Sequence, residues 1–437
     1  MAQRPAASSP SEHRPVVPPS PAAAVLDHIG QGCDMILPLA NGEPVTLMDA
    51  IEEHADSLSG CRVHQMHALR DRPYLHGAFG DRLRHVSYFL SHVTRPCFQA
   101  GTVDLVPNNF SEMRAILKGA TSDPLVLAAA SPPDRHGYFS LGLNADYVSS
   151  FIGRARFFLE ANHQMPRTFG RHQVHISQVL GWSEADYPLV ETPPPTSGPE
   201  DHRIAAFVAE RIRDRSTIQI GIGGIPNAIL AALTDHRDLG IHTELVSDGV
   251  MDLVERGVVT GVAKQLNRTK VVGTFALGTR QLYDFLDENA AFELWPVRYV
   301  NDPRVIAQES GFVSINATIA VDLLGQCASE TVSGTYYSSS GGQADFARGA
   351  MYSDGGQGFV VLHSTTKGGS ISKIVPQLAA GDVVTTLKNT VDKVVTEFGV
   401  AELRGRSIRE RAKALISIAH PDHREHLDSS ARRLGYL

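Results

Sequence analysis

Long apolar runs are missing from this 437-residue chain, and the Pro-, Ser- and Ala-rich stretch from Met1 to Pro21 has no apolar core of the kind a secretory leader carries. No membrane span is expected, and the reading is a cytoplasmic protein. Cysteine is scarce: Cys33, Cys61, Cys97 and Cys327 are scattered without a Cys-x-x-Cys pair. Neither a disulfide framework nor a structural zinc site has support, and reduced thiols suit the cytosol. The 19 histidines include no His-Glu-x-x-His spacing, so no metal site is expected. Charge of one sign is not concentrated either. The 40 Lys and Arg and the 47 Asp and Glu are interleaved and sum to -7, which leaves no cationic stripe for nucleic acid or anionic lipid. No short-period repeat is present, which argues against solenoids and propellers.

What remains is an ordinary globular composition, 42% hydrophobic and 20% charged, with enough apolar material for a sizeable core. At roughly 150 residues per domain the length suggests two or three domains. Residues 1–21 are expected to form a disordered tail, because Pro and Ser with few apolar groups cannot offset ordering entropy. Three consecutive prolines in Glu191-Thr-Pro-Pro-Pro-Thr-Ser-Gly-Pro-Glu200 mark an extended connection. The division falls near residue 195, giving an N-terminal domain over 22–195 and a C-terminal domain over 196–437. In the first half, β-favouring stretches at Arg62–Met66, Val103–Val106, Leu125–Leu127 and Arg156–Leu159 alternate with helical patterns. In the second, Ser216–Ile220, Ile241–Val246, Lys270–Phe275, Gly358–Leu362 and Asp382–Thr385 read as buried strands. Alternation of this kind implies α/β layers. Ser407 and Glu410 have capping-box spacing and open a last long helix over Arg409–Ala419, which His420-Pro421 stops.

Four segments could carry chemistry. Gly221-Ile-Gly-Gly-Ile-Pro226 follows a strand and opens a helix, so main-chain N–H groups and the helix N-terminus can receive a phosphate or a developing oxyanion. It is not a dinucleotide fingerprint, since Pro226 stands at the last glycine position, and no Gly-x-x-x-x-Gly-Lys-[Ser/Thr] loop occurs anywhere. A tight turn without a ligand is the plain alternative. Glu244 sits inside the apolar run Ile241–Val246, out of character for a carboxylate unless it is paired or used. If its strand neighbours that of the glycine loop, both fall at carboxyl ends of strands, where open α/β sheets bind ligands, and a nucleophilic carboxylate could face an oxyanion site. An ion-paired or edge glutamate is the plain alternative. Ser338–Ala350, with Gln343 and Asp345, is a second glycine-rich loop suited to a polar ligand, or else a surface turn; Lys367 follows a strand and could meet a phosphate, or else be solvated.

These residues resemble the acetyl-CoA hydrolase/transferase family of class I CoA-transferases, most closely its 4-hydroxybutyrate CoA-transferase branch. The resemblance covers nearly all of the chain after Ala22 and rests on Gly221–Pro226, Leu239–Glu244 with Ser247-Asp-Gly249, Gly341–Phe346 with Arg348-Gly-Ala350, and Val395–Ala401. Met165–Gly170 is similar too, with Ala161 and His163-Gln164 departing from the family wording. The resemblance implies two tandem open α/β halves with mostly parallel sheets, usually assembled as a homodimer or larger. It implies that Glu244 is the nucleophile, that Gly221, Ile222, Gly223, Gly224 and Ile225 contact the coenzyme A thioester, and that Ile319, Gly342 and Lys367 are further coenzyme A contacts. It also implies that Glu397, a glutamate in another strand-like run, is not the nucleophile. The expected activity is transfer of coenzyme A from an acyl-CoA to a small carboxylic acid through a glutamyl-CoA thioester, with no tightly bound cofactor. Acyl-CoA hydrolysis by the same glutamate is the nearest rival, and a non-catalytic acyl-CoA binder is the other. Ser338–Ser340 and Tyr336-Tyr337 are expected to help select the acid.

Overall fold

A computed structural model describes residues 17–437. Most of the expected tail, residues 1–16, lies outside the described residues. Its last part is held: the indole Nε1 of Trp182 donates to the Val17 carbonyl at 2.7 Å, and Ser20 N donates to the Trp182 carbonyl at 2.9 Å.

Seven strands, β1 (Asp34–Ile36), β2 (Cys61–Gln65), β3 (Leu83–Ser87), β4 (Val103–Leu105), β5 (Leu125–Ala130), β6 (Arg156–Asn162) and β7 (Gly181–Ala185), form one parallel sheet in the order β7-β6-β5-β1-β2-β3-β4. Parallel sheets are covered on both faces, so their strands read as continuous apolar runs. Alternation along the strands sends Leu125, Leu127 and Phe158 into one core and Val126, Ala128 and Phe157 into the other. A second sheet contains β8 (Thr217–Ile220), β9 (Gly240–Ile241), β10 (Val313–Ala317), β11 (Gln357–Val361), β12 (Lys393–Thr396) and β13 (Gly399–Glu402), in the order β9-β8-β10-β11-β12-β13. It is parallel except for the β12–β13 hairpin. The architecture is therefore mixed α/β with mostly parallel sheets, as the alternation of strand and helix patterns implies.

Several expected elements differ. Ile241–Val246 is not one strand: β9 ends at Ile241, Leu245–Val246 pairs elsewhere with Phe275–Ala276, and Thr243-Glu244 forms the break between them. Lys270–Phe275 is likewise divided at Thr274. Asp382–Thr385 is not a strand. The Asp382 carboxylate instead accepts from Thr331 Oγ1, Gly334 N and Ala379 N, and so fixes an irregular segment against the hairpin Thr331–Tyr336. The capping box at Ser407 and Glu410 opens the helix Ile408–Ile418. His420-Pro421 ends that helix but starts another: Pro421 is the first residue of Pro421–Arg433, a position where a missing N–H costs nothing. Among the described residues no helix is long and apolar enough to cross a membrane.

Candidate active site

The two parallel sheets send the carboxyl ends of their strands to one cavity of about 280 Å3. From the first sheet come Leu39 beyond β1, Met66 and His67 beyond β2, Phe89 beyond β3 and Phe110 beyond β4; from the second come Gly221 and Ile222 beyond β8, Glu244 beyond β9, and Asn316 and Ala317 at the end of β10. Crevices at strand ends are where open α/β sheets hold ligands. β8 and β9 are neighbours, with Thr217 opposite Gly240 and Ile218 opposite Ile241, so the glycine loop and Glu244 leave adjacent strands side by side.

The backbone around Glu244 is fixed on every side. Thr243 N donates to the Val272 carbonyl, and Thr274 N and Phe275 N both donate to the Glu244 carbonyl at 3.0 and 3.2 Å. Thr243 Oγ1 donates to the Ile220 carbonyl at 3.1 Å, which ties the glutamate's segment to the first residue before the glycine loop. His242 is buried and burial holds its pKa down at about 3, so a neutral ring donates through Nε2 to the Val300 carbonyl at 2.7 Å.

The Glu244 carboxylate receives one hydrogen bond from a side chain, from Asn301 Nδ2 to Oε2 at 2.7 Å. Burial pushes its pKa up to about 7, the Asn301 amide works against that shift, and the charge of Asp345 adds to it. Asp345 is itself buried and pushed up to about 7, although Ser111 donates to it from both its backbone N and its hydroxyl. Burial and the neighbouring Asp345 thus hold the Glu244 carboxyl above the ordinary carboxylate range, the kind of perturbed carboxyl found at functional sites.

Gly342 is glycine for lack of room. A Cβ there would run into the Glu244 carboxylate and the Asn301 amide, so the main chain lies directly on the carboxylate. It precedes the helix Gln343–Tyr352, whose first N–H groups have no partner within the helix. The other helix start, Gly224–Ala232, is reached through Gly223 at φ 129°, a conformation that side chains rarely adopt. Pro226 is its third residue, early in the helix as its rigid ring requires. The positive end of the helix Gln343–Tyr352 beside the carboxylate suits stabilisation of an oxyanion formed there.

Of the expected site residues, Gly221, Ile222, Glu244 and Gly342 line this cavity. Gly223 and Gly224 form the helix entry behind it, and Ile225 has its side chain in the hydrophobic core, leaving only its backbone for a ligand. Ile319 lies two residues past β10 and donates its N–H to the Ala328 carbonyl. Lys367 opens the single turn Lys367–Gly369 after β11. Glu397 is a buried structural acceptor: Ser364 N and Oγ donate to it at 2.9 and 2.6 Å. Ser338–Ser340 line the cavity and Gln343 with them, but Tyr336 and Tyr337 do not; Tyr337 faces outward beneath the Arg95 guanidinium, 3.5 Å from its ring centre. Three groups escaped sequence reasoning: Asn301, the wall from Met66 to Phe110, and the amide pair Gln219 and Asn316, which bond one another at 3.1 and 3.2 Å. Asn301 meets Glu244 across 57 residues, and no local pattern announces such a contact. Among the described residues no group of three or more His, Cys, Asp or Glu is placed to hold a metal ion.

Residues 20–192 match the acetyl-CoA hydrolase/transferase N-terminal domain and residues 278–431 the C-terminal domain. The segment bearing the glycine loop and Glu244 lies between the two matched ranges. The chain is 44% identical to a succinyl-CoA:cyclohexane-1-carboxylate CoA transferase of Geobacter metallireducens, over 97% of this chain and 96% of the relative. It is 41% identical to a 4-hydroxybutyrate coenzyme A transferase of Clostridium kluyveri, over 89% of this chain and 91% of that one. The crystal structure of RipA from Yersinia pestis superposes with a TM-score of 0.91 at 36% identity, covering 96% of this chain and 98% of that chain. The chain belongs to the acetyl-CoA hydrolase/transferase family.

Proposed function

We propose that this enzyme is a coenzyme A transferase in which Glu244 carries the cofactor between two acids. The observation that supports the assignment most strongly is the setting of Glu244: a carboxylate with a single side-chain donor, open to a cavity where two sheets and two helix starts converge. Relatives spanning most of the chain are coenzyme A transferases.

In the proposed cycle the ionised γ-carboxylate attacks the thioester carbon of the acyl-CoA. The tetrahedral oxyanion takes hydrogen bonds from main-chain N–H groups of the glycine loop or of Gly342 and the helix behind it. The carbon–sulfur bond breaks, leaving a mixed anhydride and coenzyme A thiolate. The thiolate then attacks the γ-carbonyl of Glu244 and expels the first acid as a carboxylate, and a glutamyl-CoA thioester remains. An incoming carboxylate runs the same steps backward, so no net proton or electron is consumed. Binding of the distant nucleotide end of coenzyme A supplies energy for orientation at the thioester. The main chain of Gly221–Ile225 and Gly342, with Ile319 and Lys367, is assigned to coenzyme A. The reading extends to a cytoplasmic homodimer built from two α/β domains that meet near residue 195; this part leans on the family resemblance.

The test is incubation of the purified protein with acetyl-CoA alone, followed by borohydride reduction and peptide mapping. Reduction should appear at Glu244 and be absent in Glu244→Gln. A label on another residue would overturn the assignment. Free coenzyme A measured from acetyl-CoA separates transfer from hydrolysis, since a hydrolase liberates the thiol continuously while a transferase liberates none and forms a new acyl-CoA only when an acceptor acid is added.

A further inference from the structure

β8 and β10 run side by side, and where they reach the cavity each contributes an amide side chain, Gln219 and Asn316. Gln219 is buried and its amide is oriented by the neighbouring strand. The N–H of Ile315 only donates and the Ile315 carbonyl only accepts; Gln219 Oε1 faces the first at 3.3 Å and Gln219 Nε2 the second at 3.4 Å. That distinguishes oxygen from nitrogen in Gln219, and the distinction passes to Asn316. Asn316 Nδ2 donates to Gln219 Oε1 at 3.1 Å, and Asn316 Oδ1 accepts from Gln219 Nε2 at 3.2 Å. Gln219 has then used both N–H groups and both acceptor positions. Asn316, half-buried in the cavity lining, keeps one N–H of Nδ2 without a partner among the described residues.

Other polar side chains of the lining spend donors on the protein itself. Ser338 Oγ donates to the Ser329 carbonyl at 3.1 Å, Ser340 Oγ to the Asn108 carbonyl, and Gln343 Nε2 to Thr386 Oγ1 at 3.1 Å. Among the described residues lining the cavity none is lysine or arginine, so this side suits a neutral acceptor better than a phosphate. A donor left over on an oriented amide calls for a partner. Coenzyme A has an amide on the arm that bears its sulfur, joined to it by a short ethylene link. A thioester held at Glu244 therefore brings an amide carbonyl into the same cavity.

We propose that Asn316 recognises the coenzyme A arm, its remaining Nδ2 N–H donating to the arm's amide carbonyl, and that Gln219 is the positioning residue that holds Asn316 in this orientation. The proposal rests on the coenzyme A reading of the site and adds to it two residues that act on the arm and not on the acid.

The test compares dissociation constants of coenzyme A and of 3′-phosphoadenosine diphosphate, which lacks the arm, by calorimetric titration of the full chain. Asn316→Ala should weaken coenzyme A about fivefold, in line with ~1 kcal/mol for a neutral hydrogen bond, and leave the nucleotide unchanged. Gln219→Leu should weaken coenzyme A by a similar factor. The two changes together should cost no more than Asn316→Ala alone, because Gln219 acts through Asn316. Unchanged coenzyme A binding in Asn316→Ala, or an equal loss for both ligands, overturns the proposal, and losses that multiply in the double variant overturn the role of Gln219. A higher KM for the acceptor acid with coenzyme A binding unaltered places the amide on the acid and overturns it as well. Should these variants not fold, Asn316→Asp, which keeps the shape and loses the donor, decides by the same comparison. Absence of any thioester at Glu244 in the unaltered protein would instead refute the transferase mechanism, so the two failures are distinct.

Discussion

In the proposed mechanism Glu244 attacks only while ionised, and burial has moved its pKa from an ordinary 4.5 to about 7. The acid limb of kcat/KM against pH should therefore rise with an apparent pKa near 7, a value belonging to the Glu244 and Asp345 pair together. Asp345→Asn removes a neighbouring negative charge and should shift that limb to lower pH; Asn301→Ala removes the stabilising amide and should shift it upward. Opposite displacements in the two profiles are the check. The same shift has a consequence for stability. A carboxyl whose folded pKa is above its unfolded pKa contributes fully below pH 4.5, and that contribution is lost as pH rises through about 7. Glu244→Gln should thus lose transfer by ~10³-fold or more while gaining about 1–3 kcal/mol of stability at pH 8 and much less at pH 5. Thermal melts at both pH values, beside the transfer assay, measure this. Other glutamates in strand-like runs serve structure. Glu160 in β6 accepts from Val45 N, Thr46 N and Leu47 N at 2.9, 2.7 and 3.1 Å and so caps the helix Val45–Glu53. A rule that picks out carboxylates in apolar runs selects Glu160, Glu244 and Glu397 alike; of the three, Glu244 lines the cavity between the two sheets.

At the scale of elements, the site depends on a strand that breaks and a helix that starts in the right place. The break at Thr243-Glu244 lets the chain leave β9 and rejoin a different pairing at Leu245–Val246, which turns the Glu244 side chain out of the core. The helix Gln343–Tyr352 then brings its N-terminus onto the carboxylate, an approach that any side chain at 342 would block. Gly342→Ala should therefore displace Glu244 and Asn301 and lower kcat by ~10²-fold or more, in line with the loss of an oxyanion donor. A circular dichroism spectrum like that of the unaltered protein, with turnover lost, is the expected pair of results. Normal turnover would show that the backbone approach has no part in catalysis.

Across the whole molecule, the two large sheets are joined at the site itself. Ser111 donates to Asp345, Ser340 Oγ donates to the Asn108 carbonyl, and Phe110 N donates to the Gly341 carbonyl at 3.2 Å, so the loop before the helix Gln343–Tyr352 is fastened to the segment after β4 of the first sheet. Arg95 completes the seam, with Nε donating to the Tyr337 carbonyl at 2.6 Å and the guanidinium over the Tyr337 ring. Arg95→Ala should loosen the hairpin and loop from 331 to 341 and raise KM for acyl-CoA about fivefold, the equivalent of ~1 kcal/mol, with kcat little changed. Steady-state kinetics and limited proteolysis of that loop report on it independently. A change in kcat without a change in KM would place the effect on chemistry instead.

By itself the sequence determined the fold class, the β8 strand with its glycine loop and following helix, and the capping box at Ser407, because alternation, glycine placement and capping act over a few residues. The motif resemblance also singled out Glu244 and Gly342. Tertiary structure alone decided that Asn301 holds Glu244, that Asp345 loads its charge, that Asp382–Thr385 is not a strand and that a wall of Met66, Phe89 and Phe110 faces the carboxylate. Those facts depend on which segments meet after the two sheets pack, and burial, which sets the pKa of Glu244 and the polarity of the wall, exists only once they have met.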